Sequence, residues 1–116
     1  MKYLAFIYGA PDAGPQMDTP EMGVLMEAYR AVEKTFTESG AKLAGEALMP
    51  VETATSIRIR DGKTELMDGP FTETKEQLGG FYMFECETLD EAIALAKQIP
   101  TVEYGTIEVR PVMVFE

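Results

Sequence analysis

Histidine and tryptophan are absent from this 116-residue sequence, and cysteine occurs once. Without histidine there is no Ser–His or Cys–His dyad, and the commonest metal ligand is missing. The single Cys86 excludes an internal disulfide and a thiolate zinc cage, which needs several sulfur or imidazole ligands at set spacings. Basic residues are scarce, 10 Lys plus Arg against 20 Asp plus Glu, for a net charge of −10. Phosphate backbones and anionic lipids select basic patches, so neither nucleic acid nor a membrane is expected as a partner. Long hydrophobic runs are lacking too: Leu4 to Tyr8 is too short for a signal segment or a membrane span. With no export signal, the expected location is the cytoplasm, where a lone reduced thiol is ordinary. Gly9 to Gly14 is not a phosphate-binding loop, and no H-E-x-x-H or EF-hand spacing occurs, so no metal or cofactor is expected.

What is present is a globular composition, 46% apolar. Two domains would hold fewer than sixty residues each, so residues 1–116 are read as one. Met1–Tyr8, bounded by Gly9 and Pro11, reads as a buried strand. Gly9–Thr19 is a loop. Thr19 then caps a helix, with Pro20 at its first position. Met22, Leu25, Met26, Tyr29, Val32 and Phe36 form its apolar stripe, and Ser39-Gly40 ends it. Lys42–Met49 is a strand weakened by Gly45. Ala54–Arg60 and Lys63–Met67 are hairpin arms around the type I′ signal Asp61-Gly62. Leu78–Cys86 reads as a central strand. Thr88 and Glu91 form a capping box for a second helix, which Pro100 stops. Thr106–Phe115 is the last strand, with Pro111 implying an edge or a bulge. This order predicts an α+β fold of the ferredoxin-like, split βαβ kind with an extra hairpin.

Helices in such a fold cover one face of the sheet, and in a monomer the other face is polar. Here both faces are apolar. Tyr3, Ala5 and Ile7 alternate with Leu4, Phe6 and Tyr8; Phe81 and Met83 alternate with Tyr82, Phe84 and Cys86. The second face therefore predicts a twin sheet from another copy, a homodimer packed face to face as a dimeric α+β barrel.

Chemistry-bearing residues concentrate in Asp68–Gly80, D-G-P-F-T-E-T-K-E-Q-L-G-G. One reading makes Asp68 a catalytic general base, raised in pKa by desolvation, with Lys75 holding an anionic group, Phe71 an apolar anchor and Glu73 a further binding group. The other makes Asp68 a turn cap and the remaining charges a solvated face. Arg58 and Arg60 share a strand face, and with Arg110 they either grip a carboxylate or pair across strands. Tyr8 and Tyr82 either line a cavity or pack in the core. The eight methionines read as core filler, and Cys86, between Glu85 and Glu87, as an inert thiol.

The run from Asp68 through Tyr82, with the opening M-K-Y-L-A-F-I-Y and the closing Y-G-T-I-E-V-R-P-V, resembles the YCII-related, DGPF-domain (YciI-like) family over nearly the whole chain. The resemblance implies a dimeric α+β barrel in a bacterial protein. It also implies a cleft near the DGPF loop that binds or transforms a small, acidic molecule by metal-independent lyase, isomerase or hydrolase chemistry. The alternative it implies is a non-catalytic regulatory or interaction module associated with extracytoplasmic-function sigma factors. The His–Asp pair proposed for YciI-like proteins has no counterpart in a chain without histidine, which leaves Asp68 needing another partner.

Overall fold

The computed structural model describes residues 1–115. In chain order the elements are β1 (Lys2–Gly9), α1 (Pro20–Ser39), β2 (Lys42–Ala47), β3 (Thr55–Arg60), β4 (Lys63–Asp68), β5 (Gln77–Glu85), α2 (Leu89–Ala96) and β6 (Thr106–Pro111). Short 3₁₀ turns cover Val51–Thr53 and Pro100–Glu103. Four strands form an antiparallel sheet in the order β2-β5-β1-β6, while β3 and β4 pair only with each other. With β5 inserted between β1 and β2, this is the split βαβ arrangement of an α+β fold.

Local chemistry accounts for the boundaries. The Thr19 hydroxyl accepts the Met22 N–H at 3.2 Å, so α1 starts with a capped N–H and a proline that needs no partner. Thr88 does the same for Glu91 N–H in α2, and the Glu91 carboxylate reaches back to Glu87 N–H at 2.9 Å. Two strands are shorter than the sequence predicts. β2 stops at Ala47 rather than Met49: Leu48 N–H still donates to Gly79 O, but Pro50 follows with no donor. β6 stops at Pro111 rather than Phe115, one bond before Val112 N–H reaches Lys2 O. The β3–β4 turn is the predicted one, with Asp61 and Gly62 both at positive φ (52° and 75°).

Both helices lie on one face of the sheet. Tyr3 and Ala5 of β1 and Tyr82 and Phe84 of β5 are buried there against Val32 and Phe36 of α1, Ala92 and Ala96 of α2, and Ile99. The Phe36 ring meets Tyr82 and Phe84 edge-on at 5.2 and 4.9 Å between centroids, a favoured geometry for aromatic pairs. On the opposite face, Phe6 lies in register with Phe81 and Glu108, and Leu4 with Met83 and Arg110. Leu4, Phe6, Tyr8, Phe81 and Met83 are half-buried there, so this face of the single chain is neither polar nor covered. No described helix is long and apolar enough to cross a membrane.

Candidate functional site

The N-terminal half of α1 stands over the end of β2 and the start of β5. Between them a cleft of about 770 Å³ opens on the helix side of the sheet. That volume suits a small molecule. Its walls are mostly apolar: Met17, Met22, Leu25 and Met26 on one side, Leu48 and Met49 on the other. The methionines at 17, 22, 26 and 49 are thus not core filler. Met17, Met26 and Met49 are exposed, and all four line the cleft, where unbranched thioethers adapt to varied shapes.

Polar groups lie along its inner wall. The Tyr29 hydroxyl and Thr101 Oγ1 are 2.5 Å apart. One helical turn further on, Glu33 accepts from the Tyr82 hydroxyl through Oε2 at 3.2 Å and pairs with the Lys42 ammonium through Oε1. Lys42 itself sits over the Tyr82 ring, 5.8 Å from its centroid. Burial pushes the Tyr29 hydroxyl up in pKa; the Thr101 hydrogen bond opposes this and Tyr104 adds to it. Tyr82 is raised as well, by burial first and Tyr29 second. Both hydroxyls are neutral at ordinary pH. Of the two acidic residues at the border of the cleft, Glu33 faces it from α1, while Glu46 lies in register with Phe81, so its carboxylate is on the opposite face of the sheet. This arrangement can seat an apolar body and accept or relay a proton at one end.

The residues selected from the sequence are not gathered here. Tyr82 lines the cleft, but as a core residue packed against Phe36 and Phe84. Tyr8 lies on the opposite, helix-free face of the sheet, as does Arg110, whose guanidinium covers the Phe6 ring at 5.4 Å and pairs with Glu108 at 3.2 Å. Arg58 pairs with Glu65, directly opposite it in the hairpin, at 2.9 Å. Asp68 ends β4 opposite Thr55 and is exposed; beyond it Gly69 is tied to Ala54 O through its N–H and to the Ser56 hydroxyl through its carbonyl. Phe71, Glu73 and Lys75 are exposed on the loop that follows. Cys86 is buried, and its thiol is raised by burial first and Glu91 second; the N-terminal ammonium lowers it and Glu85, a smaller effect, raises it again.

Glu33 is the residue the sequence reading passed over. Its signal was available: it stands at i+4 from Tyr29 and i+7 from Met26, so a carboxylate sits on the apolar stripe of α1. No three Asp, Glu or Cys side chains converge into a metal-sized cluster among the described residues.

A two-layer α+β domain with a cleft under its first helix is therefore what the chain forms. The YCII-related domain model matches residues 1–116, so the chain belongs to that family. An uncharacterized protein of Rhizobium meliloti (strain 1021) is 34% identical over 118 residues, covering 100% of this chain and 95% of that protein. Among solved structures, 5-chloro-2-hydroxyhydroquinone dehydrochlorinase (TftG) from Burkholderia phenoliruptrix AC1100, in complex with 2,5-dihydroxybenzoquinone, shares the fold. Its TM-score is 0.54 at 15% identity, over 97% of this chain and 94% of that one.

Proposed function

We propose that the chain binds or transforms a small molecule in the cleft beneath α1, and that it works as a two-fold dimer joined through the helix-free face of its sheet. The observation that carries the first part is the cleft's composition: apolar, methionine-lined walls with Tyr29, Thr101 and Glu33 along the inner side. The acidic ligand expected from the sequence fits poorly, because the carboxylate facing the cleft, Glu33, already engages the neighbouring Lys42 ammonium, on a chain of charge −10. A neutral molecule with an apolar body and a hydroxyl donor suits it better, the hydroxyl donating to Glu33. The dimer rests on the half-buried Leu4, Phe6, Phe81 and Met83, which a second sheet would cover.

If the chain is an enzyme, two carboxylates compete for the proton-transfer role: Glu33, which touches the cleft, and Asp68, which the family signature favours but which stands outside it. A thermal-shift screen of hydroxylated ring compounds beside matched carboxylic acids separates them. The cleft reading expects hydroxylated hits whose binding weakens at least tenfold in Glu33→Gln and persists in Asp68→Ala. Loss in Asp68→Ala alone would move the site to the DGPF loop. A flat screen with both compound classes would remove the cleft reading. Light scattering should give twice the mass of one chain.

A further inference from the structure

Among the described residues, the β3–β4 hairpin pairs with no other strand. It forms a separate two-stranded sheet, and isolated hairpins are marginal in water. Its two faces differ. Arg58 and Glu65 pair on one, while Ile57, Ile59 and Leu66 share the other and are 63 to 67% exposed. The molecule is a slab of 48 × 47 × 18 Å, so the arm extends the slab sideways instead of folding over it. Its radius of gyration is 16.3 Å, against about 13 Å for a compact chain of this length. Six residues per strand carry the tip roughly 20 Å from its root.

A second unpartnered apolar set lies at the far corner of the sheet. The segment after β6 exposes Met113, Val114 and Phe115, at 73 to 85%. The arm leaves from the β2–β5 side, at the end where β1 finishes; the tail leaves from the β6 edge, at the end where β1 begins. One chain's arm therefore points away from its own tail. A two-fold axis in the plane of the sheet, crossing the diagonal that joins arm and tail, turns each arm toward the other copy's tail. It also brings the two helix-free faces together with their strands near right angles, one of the two common ways sheets pack.

We infer that the hairpin is an exchange arm: its Ile57/Ile59/Leu66 face docks on the Met113–Phe115 tail of a second copy of this chain. The inference rests on the dimer proposed above. Burying roughly 100 Å² from each of these six side chains removes about 600 Å² per chain. With the half-buried Leu4, Phe6, Tyr8, Phe81 and Met83 of the sheet face, that approaches the roughly 800 Å² per partner of a stable interface. Because the contact is isologous, it is made twice.

The test uses full-length chains carrying one new thiol each, Ile59→Cys in one preparation and Val114→Cys in the other. Both positions are exposed, so both variants should fold, and buried Cys86 is checked with wild type as the control. The preparations are mixed, allowed to exchange subunits, and treated with a short bismaleimide. A covalent dimer in the mixture, at a yield severalfold above either preparation alone, is expected, since only an arm-to-tail contact between copies joins these thiols. A dimer by light scattering without that product overturns the exchange arm while leaving the dimer standing. A monomer by light scattering overturns both.

Discussion

Gly45→Ala tests whether the core and the cleft share one wedge. Gly45 of β2 lies in register with Tyr82 of β5 on the helix face, and both line the cleft. A Cβ built on Gly45 comes 2.6 and 2.9 Å from two Tyr82 ring carbons and 3.2 Å from Phe81 O. Ordinary carbon contacts lie near 3.5–4.0 Å, so the ring must retreat by about 1 Å. It has little room. Phe36 meets it edge-on at 5.2 Å, Phe84 stacks on it at 5.8 Å, and its hydroxyl is held by Glu33. Two effects oppose each other. Restricting the unfolded chain by adding a methyl stabilises by about 0.4–1 kcal/mol. Forcing extra volume into a packed core costs about 1–3 kcal/mol. The steric effect should win, for a net loss of about 1 kcal/mol or more, which lowers Tm by roughly 4 °C.

The assay is urea unfolding of Gly45→Ala, Tyr82→Leu and the double variant. In the Tyr82→Leu background the aromatic ring is gone, so Gly45→Ala should become neutral or stabilising, and the cycle should show a coupling of at least 1 kcal/mol. The same displacement moves the Tyr82 hydroxyl off Glu33, so any cleft ligand found by screening should bind more weakly to Gly45→Ala. A single variant as stable as wild type, with no coupling to Tyr82, would refute the wedge.

Two further outcomes follow from the titrating groups. Burial raises the pKa of Tyr29 on folding above its ordinary value of 10.0, so the folded state holds its proton where the unfolded state releases it. Stability should thus be insensitive to this group below pH 10 and fall as pH rises above it; Tyr29→Phe should flatten that alkaline decline while costing about 1 kcal/mol at neutral pH for the lost Thr101 bond, both read from Tm against pH. Cys86, buried with its thiol raised, should react with a thiol reagent at least tenfold more slowly in the native protein than in denaturant, and fast native labelling would contradict the packing around it.

Much of the fold was written in local patterns. Thr19-Pro20, Thr88 with Glu91, and Asp61-Gly62 each specify a backbone event within four residues, and each occurs where the sequence puts it. The strand ends were harder, because periodicity continues past the last ladder bond: Leu48-Met49 and Met113 to Phe115 look like strand but lie beyond it. The cleft was the least legible. Tyr29 and Glu33 share one face of α1 at i, i+4, but Lys42, Tyr82 and Thr101 come from β2, β5 and the turn after α2, and no spacing links these three to the helix. Asp68–Lys75 stands out in the sequence instead, because charged residues are dense where the loop is exposed, a statement about solvent more than about chemistry.

The two-sided apolar sheet shows how a single sequence feature constrains more than one level. Alternation fixes which side chains share a face, and the two helices, both on the Tyr3/Ala5 side, cover only that one. Arg110 does not remedy the other face. It lies across Phe6 with its charge already answered by Glu108, shielding one ring while Leu4, Phe81 and Met83 stay half-exposed. Extended arm, apolar tail and uncovered sheet would each be tolerable alone on a soluble chain. Together they leave three separate apolar areas on one chain, more than single scattered side chains would account for. The exchange arm proposed above is the arrangement in which one two-fold contact covers all three, and a net charge of −10 opposes any less specific association of such chains.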